Sequence, residues 1–191
     1  VTAYWILDNI LIKFCGEKDR EGNVHCLRLV DSEGIIRYVV DDLEAQIPFS
    51  MLGGDHLKYS SQNLNAIVNY GSLEFRGMRG TIDPDLIDVW SSGMYSIVHG
   101  SKRYSDPAAV LEYANTFGGK AFAETLLSRD FVKTLSEYGN IDKLAKDNIG
   151  ILLGYAYHHD WKTWERHIQS GWIVFQSTRP SDPDLQLPEG I

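Results

Sequence analysis

The spacing of apolar residues changes character at Asp83. Upstream of it, three short runs carry strand-like composition or alternation: VHCLRLV at 24–30, IIRYVV at 35–40 and SLEFRGM at 72–78. Downstream, apolar side chains recur at helical spacing in one segment after another. Strand-like runs in front and helices behind are read as the α+β class. The expected architecture is a β-containing front half followed by a helical back half. Residues 1–100 form an α+β unit, 101–178 a helical extension packed on it, and 179–191 a surface tail rich in Pro and Asp.

Local signals punctuate this plan. Residues 3–14 place Tyr4, Trp5, Leu7, Ile10, Leu11 and Phe14 largely on one side at helical spacing, which predicts an amphipathic helix ended by Gly16. A charged turn follows at 16–23, and 41–55, with Pro48 and Gly53-Gly54, reads as a loop. A short helix carrying Leu64, Ile67 and Val68 precedes Gly71. Asp83 before Pro84 is a helix start, because the carboxylate accepts from unpaired backbone N–H groups while proline occupies a position that needs no donor. That helix should run to about His99 and bury Leu86, Ile87, Trp90, Met94 and Ile97. Ser105-Asp106-Pro107 repeats the logic and opens a helix that meets Gly118-Gly119. AFAETLLSRDFVKTLSEY and the stretch from Asp142 to Gln169 continue the helical half.

Composition narrows the function classes. The 191 residues are 43% hydrophobic, enough for one sizeable core. A net charge of −8 disfavours nucleic acid and anionic membrane surfaces as partners. It leaves room for a small anion held by a few local cations, since a pocket responds to its nearest charges. Two cysteines, Cys15 and Cys26, fit buried free thiols in a reducing, cytoplasmic setting. No apolar run approaches the roughly 20 residues of a membrane span, and VTAYWILDNILIKF, interrupted by Asp8, lacks the marks of a signal peptide. The first residue is Val and a helical pattern begins at once, as expected of a chain that starts mid-domain or has been processed.

Residues 58–81, KYSSQNLNAIVNYGSLEFRGMRGT, are the most informative for chemistry. Alternation in SLEFRGM sets Glu74 and Arg76 on one face of a strand and Leu73 and Phe75 on the other. Glu74 suits Mg²⁺, which prefers carboxylate and water oxygens, and Arg76 suits phosphate oxygens through its planar fork. Arg79 adds a second cation just before a helix start, where backbone donors favour anions. Lys58, Tyr59, Ser60 and Asn63 supply a cation, hydroxyls and an amide near the same strand. An ordinary solvated Glu/Arg pair explains the same alternation.

The order K-Y-S, N-L-x-A, G-S-L-E-F-R and R-G-T, followed by a helix with a central Trp, resembles the C-terminal signature of the amidoligase family. The segment FCGEKDREGNVHCLRL resembles what precedes that signature, so the likeness spans roughly residues 3–98. The resemblance implies a glutamine synthetase-like antiparallel sheet, of which residues 1–100 hold only the C-terminal part, with ATP and Mg²⁺ on its concave face. It implies an ATP-dependent carboxylate–amine ligase: the γ-phosphoryl group passes to a carboxylate and an amine displaces phosphate from the acyl phosphate. By this likeness Arg76 and Arg79 are catalytic, Lys58, Asn63 and Arg76 bind the nucleotide, and Glu74 holds the metal. The family's early acidic ligands and its histidine-bearing strand have no counterpart here, and Gly77-Met78 lacks the histidine often found after EFR. A second chain or a preceding segment is then expected to complete the site. The substrates would be small-molecule or peptide carboxylates and amines.

Other candidates read as structural. In His158-His159-Asp160, neighbours on a helix diverge and do not converge on one ion. His25 and Cys26 face opposite ways on a strand. Trp161, Trp164 and Trp172 fit a core better than a platform. Neither Gly53-Gly54 nor Gly118-Gly119 has the surroundings of a nucleotide-binding turn. The competing function is a non-catalytic structural or interaction protein that retains the amidoligase-like fold and docks through its helical half.

Overall fold

The computed structural model describes residues 1–16, 20–31, 33–34, 37, 55–104 and 107–158. Its first element, α1 (Thr2–Cys15), is buried nearly all the way round, with Lys13 the one exposed residue in it. Tyr4, Ile6, Leu7, Leu11 and Ile12 have no solvent contact. The helix expected to be amphipathic is therefore a central one, apolar on nearly every side. The reason lies in the face that the spacing of Tyr4, Leu7 and Leu11 leaves out, where Ala3, Ile6 and Ile12 are also apolar, and a helix apolar on all sides belongs inside.

Five helices enclose it: α3 (Pro84–Ser101), α4 (Pro107–Phe117), α5 (Gly119–Leu126), α6 (Arg129–Tyr138) and α7 (Ile141–His158). Together with α1 they share one apolar cluster, in which Phe14 meets the ring of Phe131 edge-on at 5.6 Å. The start of α3 follows its local signal. Asp83 accepts from the amides of Asp85 at 3.0 Å and Leu86 at 3.3 Å, with Pro84 in the first turn. Trp90, Gly93, Met94, Ile97 and Gly100 form its buried stripe. Ile87, expected inside, is 40% exposed because it lies one residue round the helix from that stripe.

Gly118-Gly119 joins α4 to α5 through a turn in which Gly118 has φ +92°, a conformation that L side chains rarely adopt. Asp142, at the start of α7, accepts from the Lys120 amide at 2.8 Å, so one helix caps the N-terminus of another. Among the described residues no helix is long and apolar enough to cross a membrane.

Among the described residues the front half holds less β-structure than its composition predicts. The two-stranded antiparallel sheet pairs β1 (Gln62–Asn63) with β2 (Glu74–Phe75), Gln62 opposite Phe75 and Asn63 opposite Glu74. Between them runs the short helix α2 (Asn65–Tyr70), ended by Gly71 in the left-handed conformation. The expected strand at 24–30 is reduced to one bridge between Leu27 and Ser60. Local bonds compete for its backbone: Asn23 accepts from the amides of His25 and Cys26, and Asp31 accepts from the amide and guanidinium of Arg28. These fold the segment into turns. The expected strand at 72–78 keeps only Glu74–Phe75, with one further ladder bond from the Arg76 amide to Ser61 O at 2.8 Å. Beyond it Gly77 lies against Ile12, Trp90 and Tyr4, where the chain packs on helices instead of another strand. The run at 35–40, apart from Arg37, and the loop at 41–54 lie outside the described residues, as do residues 105–106 and everything after His158.

Central burial puts two polar residues of α1 in the core. Asp8 accepts from the Leu29 amide at 2.9 Å, the Ser61 hydroxyl at 3.3 Å and the Asn148 side-chain amide at 2.7 Å. Asn148 also donates to Trp5 O, while Asn9 donates to Asn148 Oδ1 and Leu144 O, each at 3.1 Å. The cluster ties α1, α7, the 23–31 turns and the sheet together.

Two outcomes test this account. Asp83→Ala should lower unfolding stability by about 1 kcal/mol in urea titrations, with Asp83→Asn retaining most of it. Burial pushes the Asp8 carboxyl up to about 7, against the hydrogen bonds that favour its charged form. A folded value above the unfolded one means that protonated Asp8 favours the fold. Its contribution is complete below about pH 4 and lost as pH rises to about 7, on the order of 2–4 kcal/mol. Stability measured across that window should fall less steeply in Asp8→Asn than in the wild-type chain.

Candidate functional site

The sheet presents two different faces. Phe75 turns inward, its ring 5.1 Å from that of Tyr4, and Leu73 packs on the same core. Glu74 and Arg76 share the outer face, with side chains 48% and 29% exposed, and Arg76 Nε donates to Glu74 Oε1 at 3.1 Å. Antiparallel register brings Asn63 opposite Glu74, where its Nδ2 donates to Oε2 at 2.5 Å. Both carboxylate oxygens are thus engaged from either side. Desolvation acts to raise the Glu74 carboxyl, but the Asn63 bond and the Arg76 bond and charge outweigh it and hold the group below its usual value.

Lys58 enters this arrangement through its backbone. Its carbonyl accepts from Arg76 Nη1, while its ammonium lies over the Tyr59 ring, 5.3 Å from the centroid. Arg79 is placed by its amide, which donates to Cys15 O at 3.2 Å and so occupies a carbonyl at the C-terminal end of α1. The next helix start does not offer Arg79 an open set of anion donors, since Asp83 already holds the Asp85 and Leu86 amides. The structure therefore gathers Asn63, Glu74, Arg76 and the carbonyl of Lys58 into one cluster, with Arg79 three residues further along.

What the cluster can do follows from its donor count. A guanidinium has five N–H donors. Arg76 uses one on Glu74 and one on Lys58 O, leaving three, by subtraction, without a protein partner among the described residues. A partly exposed cation with uncommitted donors can receive an oxyanion. As a metal ligand Glu74 stands alone: among the described residues no group of three or more His, Cys, Asp or Glu can hold an ion. One carboxylate suits Mg²⁺ that arrives already bound to phosphate oxygens and water, and does not suit a resident metal.

The remaining sequence candidates contribute no chemistry to this cluster. His25 lies against the Tyr59 ring at 5.8 Å, and Cys26 is buried away from solvent. Cys15 and Cys26 are free thiols, and burial pushes both up, Cys26 to about 11, so neither is a ready thiolate. His158 is exposed, whereas His159, Asp160, Trp161, Trp164 and Trp172 lie outside the described residues. A separate groove of about 590 Å³ is lined by Glu33, Arg37, Gly150, Gly154, Tyr155 and His158. Sequence reasoning missed the buried Asp8, Asn9 and Asn148 cluster. Its one signal was a pair of adjacent polar residues inside an otherwise apolar helix.

Asn63→Ala should raise the Glu74 titration midpoint, because a bond to the charged form is lost. Carboxyl NMR would register this as an upward shift, with a stability change below about 1 kcal/mol for so exposed a group. No family model, no curated protein and no solved structure matches the chain.

Proposed function

We propose that the chain supplies the phosphate-binding wall of an ATP- and Mg²⁺-dependent carboxylate–amine ligase, as part of a glutamine synthetase-like sheet that a second chain or further segment completes. The observation that carries this reading is the accessible Arg76 guanidinium, oriented by Glu74 and the Lys58 carbonyl and retaining uncommitted donors. Phosphoryl transfer to a carboxylate gathers negative charge on the transferring oxygens, and a fixed cation lowers the cost of that charge in the transition state. Arg76 takes that role, with Arg79 as the second cation and Asn63 holding Glu74 in place. Mg²⁺ carried in with ATP would neutralise phosphate charge beside Glu74. The substrates are a small-molecule or peptide carboxylate and an amine. The free, buried Cys15 and Cys26 support a reducing, cytoplasmic setting.

A second reading, a non-catalytic interaction protein that retains the sheet, is favoured by one observation. Glu74 is already engaged by Arg76 and Asn63, and among the described residues it is the one carboxylate in the cluster. An extended apolar face on the helical half would strengthen it. Among the described residues the large exposed apolar side chains there, Phe117, Tyr138 and Tyr157, instead sit near the ends of three different helices.

Calorimetry of ATP binding with and without Mg²⁺ separates the two readings. Losing a charge-assisted hydrogen bond costs about 1.5–3 kcal/mol, so Arg76→Ala should weaken ATP roughly ten- to a hundredfold. Mg²⁺-dependent binding lost in that variant supports the ligase. Equal binding by Arg76→Ala would rule out a nucleotide site at Arg76, and a well-folded wild-type chain that binds no ATP would mean that this chain by itself does not hold the nucleotide.

A further inference from the structure

The strand pair bearing Glu74 and Arg76 is anchored from below at Ser61. Its carbonyl accepts from the Arg76 amide at 2.8 Å and from the Tyr4 hydroxyl at 3.5 Å, and its amide donates to Leu27 O at 2.8 Å. Its hydroxyl donates to Asp8, which also receives the Leu29 amide and the Asn148 side chain. Asp8 and Ser61 are both fully buried. No cation is hydrogen-bonded to this carboxylate among the described residues; three neutral donors hold it. We propose that Asp8 is a positioning residue for the Arg76 strand, transmitting its own charge state through the Ser61 hydroxyl to the backbone that carries the candidate site.

The hydrogen bonds give the route a direction. Asn148 has both amide hydrogens committed, to Trp5 O and Asp8, and its oxygen receives Asn9, so it cannot turn to accommodate a change at Asp8. The Leu29 amide can only donate. The Ser61 hydroxyl can rotate: it donates to the carboxylate and accepts from the carboxylic acid. Any change in Asp8 charge is therefore taken up at Ser61, one residue before β1, whose carbonyl is the partner of the Arg76 amide. The titratable groups facing Asp8 are Tyr4 on its own helix and Cys26 and Arg28 on the 23–31 turns, Arg28 being held by Asp31. From α7 the facing group is the neutral Asn148, and from the sheet the neutral Ser61. Burial brings the Asp8 midpoint to about 7, where the switch is accessible without unfolding.

The functional weight of this coupling rests on the ligase reading, but its test does not. Backbone amide shifts would be followed by NMR from pH 5.5 to 8.5 in wild type, Asp8→Asn and Ser61→Ala. The Leu29 and Arg76 amides should move together with a midpoint near 7 in wild type. Both should be flat in Asp8→Asn, and only Arg76 should be flat in Ser61→Ala. Glu74, held below its usual value, titrates in a separate acid window. If Asp8→Asn fails to fold, Ser61→Ala alone decides. An Arg76 amide that does not titrate in wild type, or that titrates unchanged in Ser61→Ala, overturns the proposal. In parallel, Ser61→Ala should weaken Mg²⁺-ATP binding on the order of tenfold, the usual cost of losing an outer support. A wild type that binds no ATP while the amide pattern holds means that this chain by itself does not hold the nucleotide, and leaves the coupling in place.

Discussion

A helix that is apolar nearly all round has to be enclosed, and in this chain that helix is the first element. Enclosing α1 takes five other helices and sets the cost of everything polar that it carries. Asp8 and Asn9 cannot reach solvent, and a buried carboxylate without partners would be prohibitive. The partners come from three separate parts of the chain: the Leu29 amide, the Ser61 hydroxyl and Asn148. The polar cluster therefore fixes how the turn region, the sheet and α7 sit against the core. It adds direction to a packing that hydrophobic burial alone would leave free to slide.

Features specified within a few residues were legible in the sequence. The Asp83-Pro84 start of α3 depends on a side chain and the amides two and three residues on, and it is found as read. The division of Leu73 and Phe75 from Glu74 and Arg76 needs only the alternation of a strand. Where two local tendencies compete, reading composition alone fails. VHCLRLV is rich in strand formers, yet Asn23 and Asp31 at its ends offer the backbone turn bonds, and among the described residues its strand pairing is limited to the bridge between Leu27 and Ser60. Partnership over long distances was not legible at all. Nothing near Asp8 announces Asn148, and nothing near Glu74 announces that Asn63 will be opposite it until the register is known.

The candidate site shows the same split. Residue types and facing came from the sequence, but the role of Lys58 did not, since it acts through a carbonyl that every residue has. The resulting cluster is shallow and nearly balanced in charge, held on two strands of two residues each. So short a sheet has little stability of its own. Its geometry is borrowed from α1 through Tyr4, Ser61 and Gly77, which ties the strand that carries Arg76 to the core.

The pairing of α1 with α7 has a further consequence during synthesis. Asn148 donates to Trp5 O across 143 residues of chain, and Asn9 reaches Leu144 across 135. A ribosome delivers α1 first and its principal partner last among the described helices. Contacts this distant in sequence close slowly, and at ordinary elongation rates of about 5–20 residues per second the side of α1 that α7 covers stays open for roughly ten seconds or longer. Over that interval the polar pair Asp8-Asn9 sits on an apolar helix without the Asn148 side chain that later joins it.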